Sequence, residues 1–196
     1  EGGGRVMVEE GLFDRFPVEA VFGMHNIPGI DAGRIAVKAG PMMASYDIFE
    51  ITLTGRGSHG AMPHKGIDPI AIGAELVQKL QTIVSREIDP IQSAVITVGS
   101  IQGGNKHNII PNHCDLQLTV RSYDEGVRAH LKDAIVRKAK ALAMAAGAPE
   151  PKVEFSEPTG ALKNDKALTE KAAAAMRRAL GDGNAVEVDP QMIAED

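Results

Sequence analysis

The sequence predicts an α/β protein in which a complete ferredoxin-like α+β domain is inserted into a larger α/β domain. Three observations predict it. Residues 44–157 read β-α-β-β-α-β, the order of a split βαβ sheet with two helices on one face. The runs "YDIFEITLT" and "HCDLQLTVRS" alternate apolar and polar residues, so each strand is dry on one side and wet on the other. The flanks, 1–43 and 158–196, lack that alternation and read as two parts of a host fold interrupted by the insertion.

The elements follow in order. "RVMVEEGLFDRF" (5–16) suits one short amphipathic helix entered through glycines. "VEAVFGMHNI" (18–27) is a compact apolar run, expected as a strand buried on both faces with His25 near its end. "RIAVKAG" is a further strand, closed by Gly40-Pro41. In the strand 46–54, Phe49, Ile51 and Leu53 face one side and Glu50, Thr52 and Thr54 the other. A glycine-rich loop, "GRGSHGAMPH", follows. Asp68 then caps a helix with Pro69 at its first position, and Ile70, Ala74, Val77, Leu80 and Val84 form its expected core stripe. "SAVITVGSI" (93–101) is a strand turned by Gly103-Gly104. In the next strand Cys114, Leu116, Leu118 and Val120 alternate with Asp115, Gln117, Thr119 and Arg121. Asp124 caps a helix carrying Val127, Leu131, Ile135, Leu142 and Ala146, stopped by Gly147. "PKVEFSE" (151–157) completes the sheet, and "DKALTEKAAAAMRRAL" is a separate helix ended by Gly181.

Composition narrows the partners. A net charge of −5 with no Lys/Arg cluster argues against a nucleic-acid surface. No apolar run approaches the roughly 20 residues of a membrane span. The single cysteine, Cys114, excludes an intrachain disulfide and fits a reducing, cytoplasmic setting. Both ends read as interior to a longer protein.

Common catalytic signatures are absent: there is no HExxH, no CxxC pair, no GxSxG and no phosphate loop. Ser58-His59 is a neighbour pair and not a triad, which needs convergence in space and a third orienting group. His59 stands out because the adjoining glycines let backbone approach a ligand closely, although a plain turn histidine fits the same residues. His25 reads equally as a satisfied polar residue at a strand end, and His64 as a solvated one. Arg121 suits either a surface ion pair or a substrate carboxylate, for which its planar fork is matched. Asn108 suits a backbone contact at a strand start. The residues alone give a two-part α/β protein with a polar cluster of His59, Asn108 and Arg121.

At "EGGGRVMVEEGLF", "VFGMHN", "LTGRGSHGAMPHKGIDPI", "GGNKHNIIPNHCDLQLTVRSYD" and "MIAED" the sequence resembles the M20 family of metallopeptidases and amidohydrolases. The nearest subgroup in pattern contains hippurate hydrolases and auxin-conjugate amidohydrolases. The resemblance implies a zinc-exopeptidase-like catalytic domain over 1–43 and 158–196, both portions partial, and an inserted lid and dimerisation domain over 44–157. It implies cleavage of the amide bond of N-acyl amino acids or small peptides by water activated between two divalent metal ions. Oxygen and imidazole ligands would accept Zn, Mn, Co or Ni. By the same resemblance, Glu1 and His25 are metal ligands. His59 is catalytic and reaches toward the partner subunit's active site in a homodimer joined through the lid. Asn108 and Arg121 grip the substrate carboxylate. The family's general-base glutamate would directly precede Glu1, and further metal ligands also fall outside the chain, so this polypeptide alone is expected to be inactive. The competing expectation is a non-catalytic ferredoxin-like module for dimerisation or ligand binding.

Overall fold

A computed structural model describes residues 3–195, with Glu157 and Pro158 described in their backbone alone. In chain order the elements are α1 (Gly3–Glu9), α2 (Leu12–Arg15), β1 (Ile35–Val37), β2 (Gly40–Met43), β3 (Tyr46–Thr54), β4 (Ser58–His59), α3 (Pro69–Glu87), β5 (Ala94–Gly103), β6 (Ile109–Ile110), β7 (His113–Ser122), α4 (Glu125–Ala145), β8 (Lys152–Thr159), β9 (Leu162–Asn164), α5 (Lys166–Leu180) and β10 (Ala185–Glu187). A short 3₁₀ turn covers Pro63–Lys65 and another Asp182–Asn184. The chain divides into two compact units. One holds the residues up to Met42 with Lys163–Pro190, and the other holds Met43–Leu162 with Gln191–Glu195.

The larger unit is built on one antiparallel sheet in the order β5-β7-β3-β8. Numbered within the sheet this is 2-3-1-4, the ferredoxin-like arrangement, with α3 and α4 as its two crossovers. The alternation foreseen in β3 and β7 sets which face is dry. Phe49, Ile51 and Leu53 are buried on β3, opposite Leu118, Leu116 and Cys114 on β7. Against them pack Leu76, Leu80 and Ile83 of α3 and Leu131, Ala134, Ile135 and Ala139 of α4. Cys114 is fully buried in this core, and burial pushes its thiol pKa up. Both helix starts are fixed by aspartates: Asp68 Oδ1 accepts from Ile70 N at 2.9 Å, and Asp124 Oδ1 from Gly126 N at 2.8 Å.

Five expectations are corrected. The helix expected over 5–16 is two helices, because Gly11 takes φ +86° and breaks the helical path between them. Residues 18–27 form no strand, and Val21, Phe22 and Met24 are 66%, 65% and 81% exposed. A strand needs neighbours for its amides and carbonyls, and no described strand runs beside this segment. The strand "RIAVKAG" stops at Val37, and Gly40-Pro41, expected as its close, opens β2 instead. On α3 the buried stripe is Ile72, Leu76, Leu80 and Ile83; of the expected stripe Val77 and Val84 pack against it partly buried, while Ile70 is 38% exposed and Ala74 is exposed. Both stripes keep helical spacing and share Leu80, and the bulkier set turns toward the sheet. On α4, similarly, Ala146 lies outside the core and Ala143 within it.

In the smaller unit β1 and β10 pair in parallel, with Ile35 opposite Ala185. Asp165 caps α5, accepting from Leu168 N at 2.8 Å, and Gly181 ends it at φ +92°.

Candidate functional site

The loop that leaves β3 is held almost wholly by backbone. Gly55 N donates to Asn112 O at 2.8 Å, and Arg56 exchanges two 2.9 Å bonds with Ile67. Ser58 and His59 then form β4, paired antiparallel with Ile110 and Ile109 of β6. Gly60 N donates to Asn108 O at 2.8 Å, continuing the pairing one step further. The glycines here answer to space. A Cβ on Gly55 would stand 2.3 Å from Ile67 O and 2.5 Å from Pro69 Cδ, and one on Gly60 would stand 3.1 Å from Asn108 O.

His59 is exposed at the tip of this scaffold, and its ring is oriented by its own loop. Ala61 N donates to His59 Nδ1 at 3.1 Å. A nitrogen that accepts cannot carry the proton, so the neutral imidazole bears it on Nε2. The loop therefore presents His59 as an Nε2–H donor. Its neighbour Ser58 is no nucleophile, because its Oγ is sealed from solvent without a partner. His64 lies exposed in the 3₁₀ turn.

The polar cluster expected of His59, Asn108 and Arg121 is divided within the chain. Asn108 is tied to the His59 loop by the Gly60 N–Asn108 O bond, next to the β4–β6 pairing. Arg121 lies near the far end of β7, opposite Val95 of β5. The His59 loop begins beside His113, and Arg121 is eight positions beyond it. At a strand rise of about 3.3 Å per residue, the two ends stand roughly 26 Å apart. Sequence separation does not reveal register, and register puts them at opposite ends of one sheet. Arg121 is half-buried with its guanidinium 4.7 Å from the centre of the Tyr46 ring, which steadies it by cation–π attraction. Nearby, Arg128 grips Asp47 with both Nε and Nη2 and also reaches Thr159 O at 3.4 Å. The Asp47 carboxylate holds the Arg128 pKa above its ordinary value. Tyr46 and Asp47 were not singled out in the sequence; a β-strand start is a common place for either residue type, and only the register reveals their partners.

Of the two expected metal ligands, only one falls within the described residues. Glu1 lies outside the described residues. His25 is exposed in the segment 18–27. Among the described residues no group of three or more His, Cys, Asp or Glu side chains is arranged to hold a metal ion. Imidazole suits a divalent cation, yet the described donors do not by themselves fit a two-cation site. No described helix is long and apolar enough to cross a membrane.

Comparison with known proteins bears on these features. Residues 47–146 match the peptidase dimerisation domain family of M20 proteins. The chain is 39% identical over 167 residues to the N-acetyl-L-cysteine deacetylase of Bacillus subtilis, covering 85% of this chain and 39% of that protein. It is 40% identical over 144 residues to the hippurate hydrolase of Campylobacter jejuni, covering 74% and 38% respectively. Its fold superposes on a Bacillus subtilis dinuclear metal binding peptidase of the M20 family with a TM-score of 0.76 and 29% identity, covering 97% of this chain and 46% of that one. The chain thus spans less than half the length of each of these relatives.

Proposed function

Because the chain belongs to the M20 peptidase family, through a dimerisation domain that fills half of it, we propose that it is part of a metal-dependent amidohydrolase that cleaves N-acyl amino acids or related small conjugates. The deacetylase and hippurate hydrolase names of its relatives support this substrate class. The observation that carries the reading is the Ala61 N–His59 Nδ1 bond, which leaves Nε2 to act as the donor, on a loop paired along its backbone. Two divalent metal ions, held in part by Glu1 and His25, would polarise the carbonyl and activate water. His59 donates to the oxygen where negative charge develops, and Asn108, just before the paired strand, is held to the same loop through Gly60. Arg121, stacked on Tyr46, takes the free carboxylate of the substrate and fixes its orientation. On this reading the residues before 44 and after 157 belong to the catalytic domain and those between form the lid.

The roughly 26 Å between the root of the His59 loop and Arg121 supports a homodimer in which each active site takes its histidine from one protomer and its arginine from the other. In the intact enzyme His59→Ala should lower kcat on an N-acyl amino acid about 10²–10³-fold, the usual cost of one oxyanion donor. Retained turnover in a folded variant would refute the assignment. Mixing inactive His59→Ala and Arg121→Ala protomers should restore roughly a quarter of wild-type activity, since half of the dimers then contain one complete site. No recovery after verified subunit exchange would mean that a single protomer supplies both residues of each site and exclude the shared arrangement.

A further inference from the structure

We infer that Asn112 is a positioning residue for His59, fixing the root of the histidine loop at two points; this rests on the role of His59 proposed above. Asn112 occupies the break between β6 and β7. Its carbonyl accepts from Gly55 N at 2.8 Å, and its side-chain Oδ1 accepts from Gly57 N, also at 2.8 Å. One residue thus takes the amides on both sides of Arg56, whose own amide is held by Ile67 O. Every N–H from 55 to 57 is consequently engaged, two of them by Asn112.

Gly57 is fitted to this grip. A Cβ there would stand 3.0 Å from Asn112 Oδ1 and 3.0 Å from Ile110 O, so a side chain would push the clamp open. His59 lies two residues beyond the clamped amide, and the intervening Ser58 already pairs with Ile110. Asn112 is exposed, which sets it apart from the residues that hold the core. Removing its side chain leaves the β4–β6 pairing and the Ala61–His59 bond in place while freeing the Gly57 amide. The consequence falls on where the imidazole is held and not on whether the domain folds. An aspartate at 112 keeps an oxygen acceptor at the same reach; serine is too short to provide one.

The test compares kcat and KM of the full-length, metal-loaded enzyme on an N-acyl amino acid for Asn112→Ala, Asn112→Ser, Asn112→Asp, His59→Ala and the double variant His59→Ala/Asn112→Ala. Alanine and serine at 112 should each lower kcat about tenfold or more, as a slightly misplaced catalytic group does, with KM changed less than about twofold. Aspartate should recover most of kcat, and Asn112→Ala should cost nothing further on the His59→Ala background. In the 196-residue chain, the imidazole ¹H–¹⁵N signals of His59 should move in Asn112→Ala and stay in place in Asn112→Asp. Wild-type kcat in Asn112→Ala, equal losses with aspartate and alanine, additivity with His59→Ala, or losses that merely track unfolded protein would overturn the inference. If His59→Ala itself retains turnover, the catalytic assignment fails, and the His59 signals still decide whether Asn112 holds the ring.

Discussion

The two ends of the sheet present their functional candidates by different physical means. At the Thr54 end, His59 is delivered by main-chain hydrogen bonds, by the Asn112 side chain on Gly57 N, and by glycines that let strands approach closely. At the Tyr46 end, Arg121 sits among side chains: the Tyr46 ring beneath it and the Asp47–Arg128 pair nearby. Backbone bonds survive most side-chain changes but do not tolerate an added Cβ at a tight glycine. Charged pairs tolerate such crowding but depend on every partner being present. The histidine end should therefore be sensitive to shape, and the arginine end to charge.

The largest effect separating the two ends is expected at Asp47. Its removal leaves Arg128, 13% exposed, without its two-pronged partner. Asp47→Ala should cost about 3–5 kcal/mol in urea unfolding, and replacing Asp47 and Arg128 together by apolar residues should recover most of it. Equal losses in the single and double variants would erase the charge side of the contrast. Next comes Gly55→Ala, which sets a methyl against Ile67 O and Pro69. The expected loss is about 1–3 kcal/mol, unchanged when salt is raised to screen charges. A marked salt dependence would mean that the histidine end is electrostatic after all.

A smaller effect belongs to Glu87, at the end of α3 that returns toward Tyr46. Its carboxylate accepts from Lys138 at 2.8 Å and from Arg137, and these bonds hold its pKa below the ordinary carboxylate value. Because the folded form holds the lower pKa, this stabilisation is present above the unfolded value of about 4.5 and fades as pH falls through the folded one. Glu87→Gln should cost about 1 kcal/mol at neutral pH, and the gap from wild type should close on acidification. A gap that widens in acid would reverse the assigned sign. The smallest effect is that of Tyr46→Leu, about 0.5–1 kcal/mol from the lost ring–guanidinium contact. An unchanged protein, in stability and in KM of the intact enzyme, would leave Arg121 oriented by something else.

How much of this was legible in the sequence depends on whether the deciding interaction is local. Period-two alternation in β3 and β7, the caps at Asp68 and Asp124, and the βαββαβ order are all carried by near neighbours, and they hold in the structure. Residues 18–27 share the apolar character of β3. They form no strand, however, because β3 has ladders on both sides and this segment has no described strand beside it. The phase of α3 was ambiguous because two stripes share Leu80, and only the sheet chooses between them. Asn112 was passed over for a related reason: its partners, Gly55 and Gly57, are more than fifty residues away in sequence, and nothing in "IIPNH" announces them. The motif around His59 was visible as chemistry, while the distance between His59 and Arg121 waited on register.

Cys114 gives the molecule a built-in reporter. The only thiol in the chain sits on an inner strand near the Thr54 end of the sheet, against α3 and shut away from solvent. A disulfide reagent in solution can modify it only during moments when helix and sheet part, so the modification rate measures how often the heart of the domain breathes. That clock needs no engineered label, and it would time the packing beside the root of the loop that bears the histidine.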